Sequence, residues 1–257
     1  MKAILLAAGV GKRLRPYTEI RPKCLVEIGG RSLLHRHLDI LSSLEEFDEL
    51  VIVVGYRHDQ VRDAVAAWHG DATGDARDFP VSLVLNEEFE KGSILSLFAA
   101  RETLLAADSV AMDADVLYPT EVMQRLVGST HANCFLIDDG AEESGEEMMV
   151  CIRGERAIHI ARSRDASTHT GWDHKGEGVG FFRLAAADAP ALLAHMERLI
   201  ANGSEGAEYE VALAAFMPEH TCGYESIADL PWTEIDFEED IDQATNVVLP
   251  AIEGLGA

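Results

Sequence analysis

The first half of the chain alternates between two hydrophobic rhythms. Apolar runs of strand length recur as "KAILLAA", "ELVIVVGY", "VSLVLN" and "SVAMDAD". Between them, residues 32–44, 58–68 and 93–107 carry apolar positions at helical spacing, and "HGDATGDARDFP" reads as a polar loop. Apolar strands separated by helices predict a mainly parallel sheet covered on both faces. After about residue 120 the rhythm changes. "CFLIDD", "MMVCIRG", "AIHIARS" and "GVGFFRL" read as closely spaced, partly antiparallel strands. A helix is predicted over 186–201, "GAEESGEE" reads as a solvated hairpin loop, and a last helix follows "PWTEIDFEEDI". The expected architecture is a single α/β domain over residues 1–257, with one half at about 1–120 and the other at about 121–257.

Composition narrows the class. At 257 residues with 47% hydrophobic content, the chain can bury a full core. No apolar run approaches the roughly 20 residues a bilayer span needs. The opening "MKAILLAAGVG" is followed at once by "GKRLRP", so it reads as a buried strand entering a Gly-rich turn, not as a leader. Cys24, Cys134, Cys151 and Cys222 lack metal-ligand or CxxC spacing, which disfavours zinc and disulfides and makes a cytoplasmic protein the simplest expectation. The formal net charge of −24 argues against nucleic-acid and anionic-membrane partners. One segment breaks the trend. Lys12, Arg13, Arg15, Arg21 and Lys23 face only Glu19 between positions 12 and 23, 5 − 1 = +4. A positive pocket in a negative protein suggests a bound anion.

That segment lies in "LLAAGVGKRLRPYTEIRPKCLVEIGG", residues 5–30. Gly9 and Gly11 let backbone amides approach a phosphate chain directly after a strand. Arg13 can grip phosphate bidentately, and Lys23 can set a point charge on another. There is no third glycine at dinucleotide-fingerprint spacing and no GK[ST] of a P-loop. The stretch resembles the signature of the nucleotidyltransferases that activate sugar phosphates and phosphocholine. The matching residues are Leu6, Ala7, Ala8, Gly9, Gly11, Arg13, Leu14, Pro16, Thr18, Pro22, Lys23 and Leu25. Lys12 departs from the family's usual Ser or Thr, a change compatible with a bound triphosphate. The resemblance implies a Rossmann-like fold with a nucleotide-binding first half and an acceptor-binding second half.

Four further segments extend the resemblance. In "LNEEFEKGSILSLFAARETL", Asn86, Gly92, Ser93, Ser96 and Leu97 match the segment that reads the nucleobase. Gly92 and Ser93 would offer donors and a hydroxyl there, or Ser93 is simply a helix cap. In "SVAMDADVLYP", Asp113 and Asp115 at i and i+2 would share one side of a strand. Family register selects Asp115 as metal ligand, with Asp113 supporting the nucleotide site. In "WTEIDFEEDI", Asp236 matches the second metal-ligand position, its alternative being a helix cap. Mg²⁺ is the cofactor so implied. "GEGVGFFRL" resembles the acceptor strand, bringing Glu177 and Gly180 near the second substrate. Arg162, with Lys175 as rival, would face the acceptor phosphate. Glu208, Tyr209 and Glu210, with Trp172 and Trp232, would suit a cationic head group, although ordinary core packing is the simpler reading of each aromatic.

The resemblance implies that an acceptor phosphate or phosphonate oxygen attacks the α-phosphorus of a nucleoside triphosphate and expels pyrophosphate. Arg13 and Lys23 would be catalytic, and the backbone from Leu6 to Arg13 would hold the nucleotide. CTP is favoured by "EKGSILSL" and "EID", with a phosphocholine-like or 2-aminoethylphosphonate-like acceptor. A sugar- or polyol-phosphate enzyme using UTP, dTTP or CTP is the alternative. An inactive ligand-sensing relative is a second alternative, from another class. The sequence leaves the oligomeric state open; a homodimer is compatible with it.

Overall fold

A computed structural model describes residues 1–71, 78–141, 145–166 and 169–256. Parts of the predicted loops "HGDATGDARDFP" and "GAEESGEE" therefore lie outside the described residues. The fold is built on β1 (Lys2–Ala7), whose side chains alternate between two cores. Ala3, Leu5 and Ala7 pack on one face of the sheet, and Ile4 on the other. The Gly-rich loop and a small hairpin, β2 (Glu27–Ile28) with β3 (Arg31–Ser32), lead into α1 (Leu33–Ser43). Ser32 Oγ caps α1 by accepting from the His35 N–H at 3.2 Å. Its buried stripe of Leu33, Leu34, His37, Leu38 and Leu41 has helical spacing.

The first half then continues through β4 (Glu49–Val54), α2 (His58–Asp71), β5 (Val81–Leu85), α3 (Ser93–Ala99), α4 (Arg101–Ala106) and β6 (Ser109–Asp113). The single helix expected over 93–107 is interrupted at Ala100, which leaves helical geometry with ψ near 11°. Strands β5, β4, β1 and β6 are parallel neighbours, with Leu6 opposite Asp113 in the β1–β6 register. The carboxyl ends of β1 and β6 thus open side by side, the usual place for ligands in such sheets.

The second half begins with β7 (Val116–Leu117) and α5 (Thr120–Gly128), followed by β8 (Asn133–Asp138), β9 (Met148–Arg153) and β10 (Arg156–Arg162). After the short α6 (Ser163–Ala166) comes β11 (His174–Leu184), which lies antiparallel to β6 and also pairs with β8 and β9. One nine-stranded sheet therefore runs through both halves. α7 (Ala189–Ala201), α8 (Glu210–Phe216) and β12 (Cys222–Ser226) follow, the last parallel to β8. Finally β13 (Thr233–Glu234) pairs with β7, and α9 (Glu238–Gln243), a π turn and α10 (Leu249–Leu255) complete the described chain. The terminal helices bury Ala244, Val248 and Leu249 against Leu14, Val26, Ile28 and Leu33. That small core fixes the loop carrying Arg13. No helix of the described residues is long and apolar enough to cross a membrane.

Candidate active site

Two loops that leave the sheet and one late strand build the site. After β1 the chain turns at Gly11, whose φ of 64° favours glycine. A Cβ there would press within 3.0 Å of Thr18 Cγ2 and 3.2 Å of Lys23 Cβ. Thr18 Oγ1 donates to the Gly11 carbonyl at 2.6 Å, folding the loop back so that Lys23 lies beneath it. Gly9 has open space where a Cβ would be, the room a backbone-hugging phosphate needs.

After β6 the chain turns at Ala114 and Asp115, so the strand expected over "SVAMDAD" ends at Asp113. The expected shared side of the two aspartates is lost for that reason. Asp113 turns towards Tyr209, whose hydroxyl donates to Asp113 Oδ2 at 2.9 Å, and lies against Gly180. Asp115 instead accepts from Lys23 Nζ at 2.5 Å. The short β7–β13 ladder, continued by an Ile235 N–H bond to the Asp115 carbonyl at 3.0 Å, brings Asp236 to the same lysine at 2.5 Å. Arg13 reaches the other oxygen of Asp236 at 2.5 Å and lies over the Phe237 ring. Asp236 does not cap the terminal helix. Asp240 does so, accepting from the Asp236 and Phe237 N–H groups at 2.7 Å each, which frees the Asp236 carboxylate for the site.

A third carboxylate joins them. Glu234 offers an oxygen within 4.8 Å of those of Asp115 and Asp236. Glu234 keeps an exposed edge, yet desolvation by the surrounding protein, then repulsion from Asp115 and Asp236, push its pKa up to about 8. Sequence reasoning missed Glu234, although its i, i+2 relation to Asp236 in "TEID" is the pattern noted for Asp113 and Asp115. Burial alone would lower the Lys23 pKa, but Asp115, Asp236 and Glu234 outweigh it and hold the ammonium charged. Asp115 Oδ1 is buried with no hydrogen-bond partner. Three hard oxygen donors, one of them unsatisfied, fit Mg²⁺ or Mn²⁺.

Two cavities meet at this centre. One, of about 410 Å³, is lined by Leu6, Ala8, Gly9, Gly11, Lys12, Lys23, Phe89, Gly92 and Ser96. The other, of about 580 Å³, is lined by Asp138, Glu147, Arg162, Glu177, Glu208, Glu210 and Trp232. Arg13, Ser93, Asp113, Asp115, Glu234 and Asp236 border both. The larger cavity is strongly acidic. Burial, with Glu147 and Asp138 adding repulsion, raises Glu177 to about 7, and burial raises Glu210 to about 7. Arg162 ion-pairs with Glu208 and donates to the Glu146 carbonyl at 2.5 Å.

Several predicted residues sit differently from expectation. Ala7 is buried in the sheet core. The Asn86 side chain is buried, donating to Ser96 Oγ and accepting from the Glu88 N–H at 3.0 Å each, so it braces a turn. The Gly92 N–H donates to the Glu205 carbonyl at 2.8 Å and the Ile94 N–H to the Ala207 carbonyl at 3.2 Å. Those amides are committed to the protein rather than offered to a base. Trp172 lies elsewhere. It packs with Met149, Cys151 and Ala166, on the face of β9 opposite Met148 and Val150, which line the larger cavity. Its indole N–H donates to the His169 carbonyl at 2.8 Å, and Lys175 Nζ lies 5.7 Å from its ring centre.

Residues 3–172 match the family described as the MobA-like NTP transferase domain. The chain belongs to that family. Among curated relatives, the choline-phosphate cytidylyltransferase of Streptococcus pneumoniae is 33% identical over 140 residues, covering 54% of this chain and 55% of its own. The bifunctional IPC transferase and DIPP synthase of Rubrobacter xylanophilus is 30% identical over 254 residues, covering 96% and 52%. The chain thus spans about half the length of these curated relatives. A solved structure of the CTP:phosphocholine cytidylyltransferase from Streptococcus pneumoniae superposes with TM-score 0.73 at 20% identity, covering 96% of this chain and 98% of the other. The family's Rossmann-like fold, a mixed sheet with a parallel first half, flanked by helices, is therefore the fold of this chain.

Proposed function

We propose that the chain transfers a cytidylyl group from CTP to a small phosphorylated or phosphonate molecule with a cationic head group, releasing pyrophosphate. The observation that carries this reading is the junction of the two cavities at Arg13, Asp115, Glu234 and Asp236. A triphosphate in the Gly9–Arg13 loop and an acceptor in the acidic cavity would meet there. The acceptor P–O⁻ oxygen forms a bond to the α-phosphorus, and the bond from that phosphorus to the bridging oxygen of the β-phosphate breaks. A phosphate monoester is already mostly dianionic at neutral pH because its second pKa is near 6, so no protein base is required.

Catalysis then rests on positioning and charge. Arg13 and the loop amides hold the leaving β,γ-phosphates, and Lys23 balances charge near the α-phosphate. Asp115, Asp236 and Glu234 would hold Mg²⁺, which when bound supplies neutralisation of phosphate charge. Glu177, Asp138 and Glu147 line the same cavity and favour an ammonium head group over a neutral sugar, because a cation lowers the repulsion that neighbouring carboxylates exert on one another. The preference for CTP is supported by the "EKGSILSL" resemblance and by the relatives' printed activities. The test is pyrophosphate release with each nucleoside triphosphate against phosphocholine, 2-aminoethylphosphonate and sugar 1-phosphates. Release with CTP and an ammonium-bearing acceptor is expected. Release only with UTP or dTTP and a sugar 1-phosphate would overturn it, and no release with any pair would favour a ligand-sensing protein.

A further inference from the structure

Ser93 borders both cavities, yet its bonding partner belongs to the acceptor side. Its Oγ accepts from the Tyr209 N–H at 3.0 Å, across a sequence separation of 116 residues. The bonds from Gly92 and Ile94 to the Glu205 and Ala207 carbonyls flank it. A Cβ at Gly92 would collide with the Ala207 carbonyl, so the segment 205–209 lies directly against the start of α3. The same segment delivers the acceptor cavity's polar wall. Glu208 pairs with Arg162, Tyr209 bonds Asp113, and Glu210 opens α8 with a buried Oε2 that has no partner. Tyr209 is 3% exposed and packs 5.8 Å from the Phe182 ring, so it acts as a rigid link and not as a mobile lid.

We propose that Ser93 is a positioning residue for the acceptor, acting through the Tyr209 backbone to set where Glu208 and Glu210 stand in the larger cavity. This inference rests on the two-substrate reading above and departs from the nucleobase role that the sequence suggests for this position. One lone pair of the hydroxyl accepts from Tyr209, and the Gly92 and Ile94 amides on either side are committed to residues 205 and 207. What the nucleotide segment holds is therefore the acceptor wall. Loss of the hydroxyl loosens the carboxylates that grip the head group, while the Gly9–Arg13 loop is untouched.

The experiment compares wild type, Ser93→Ala and Ser93→Thr by steady-state kinetics with both substrates varied, alongside hydrogen–deuterium exchange over residues 204–210. Ser93→Ala is expected to raise the acceptor KM about fivefold, the loss one neutral hydrogen bond produces. The KM for CTP should stay within about twofold, and exchange should rise at Tyr209. Ser93→Thr, which keeps the oxygen, should restore both. A rise in the KM for CTP with the acceptor KM unchanged would overturn the proposal, as would equal rises in both or unchanged exchange. If wild type releases no pyrophosphate with any pair, the parent reading fails, and the exchange data still decide whether Ser93 holds the segment.

Discussion

Glu177 stands partly buried in the acidic cavity, and its protonation ties the stability of the fold to pH. Burial, then Glu147 and Asp138, raise its pKa from 4.5 to about 7. The folded chain therefore holds this proton more tightly than the unfolded chain does. Its contribution is fully present below about pH 4.5 and is lost as pH rises through about 7. The full difference, 7 − 4.5 = 2.5, would correspond to about 3.4 kcal/mol at 1.36 kcal/mol per unit. Solvent screening of the exposed part of the side chain cuts this to about 1.5 kcal/mol. Glu177→Gln removes the titration and keeps the shape. Its Tm should match wild type near pH 4.5 and exceed it at pH 8 by about 3–6 °C, given about 2–4 °C per kcal/mol at this chain length. Differential scanning calorimetry across pH 4.5–8.5 reads this directly. Glu155→Gln, at an exposed position, corrects for the general relief of negative charge. A gain equal at both ends of the range, or no gain beyond the Glu155→Gln control, would refute the reasoning.

Three other outcomes are expected. Asp115→Ala and Lys23→Ala should each lower kcat by about 10²–10³, the usual effect of deleting one fixed charge at a reacting phosphate, with far-UV circular dichroism retained. Full activity in both would remove them from the reaction. Chelation with EDTA should abolish pyrophosphate release, Mn²⁺ or Mg²⁺ should restore it, and Glu234→Gln should raise the metal concentration needed at least tenfold. Trp172→Ala should lower stability by about 2–3 kcal/mol in urea unfolding, through the cavity left against Met149 and Cys151. It should leave the acceptor KM within about twofold; a tenfold rise would bring Trp172 back to the acceptor.

Sequence alone specifies the parallel half of the sheet, because β1, β4, β5 and β6 are short apolar runs bounded by polar turns. It also determined the family, because the Gly-rich loop needs particular residues at fixed spacing on one continuous stretch. α8 and β12 escaped it, since elements this short carry a weak periodic signal, whereas α5, also missed, does carry a clear helical stripe of Val122, Met123 and Leu126. The aspartate pair shows the limit more sharply. Period-two reasoning joins Asp113 to Asp115, whereas the turn after β6 sends one to Tyr209 and the other to Lys23. Tertiary contact alone sets Glu234 beside Asp115 and Asp236, since two residue pairs between β7 and β13 bring remote stretches together. It also decided that the amides around Ser93 bind the 205–209 segment and that Trp172 faces away from the cavity. Local spacing specifies which backbone can form; which carboxylate meets which cation depends on packing between segments far apart in the chain.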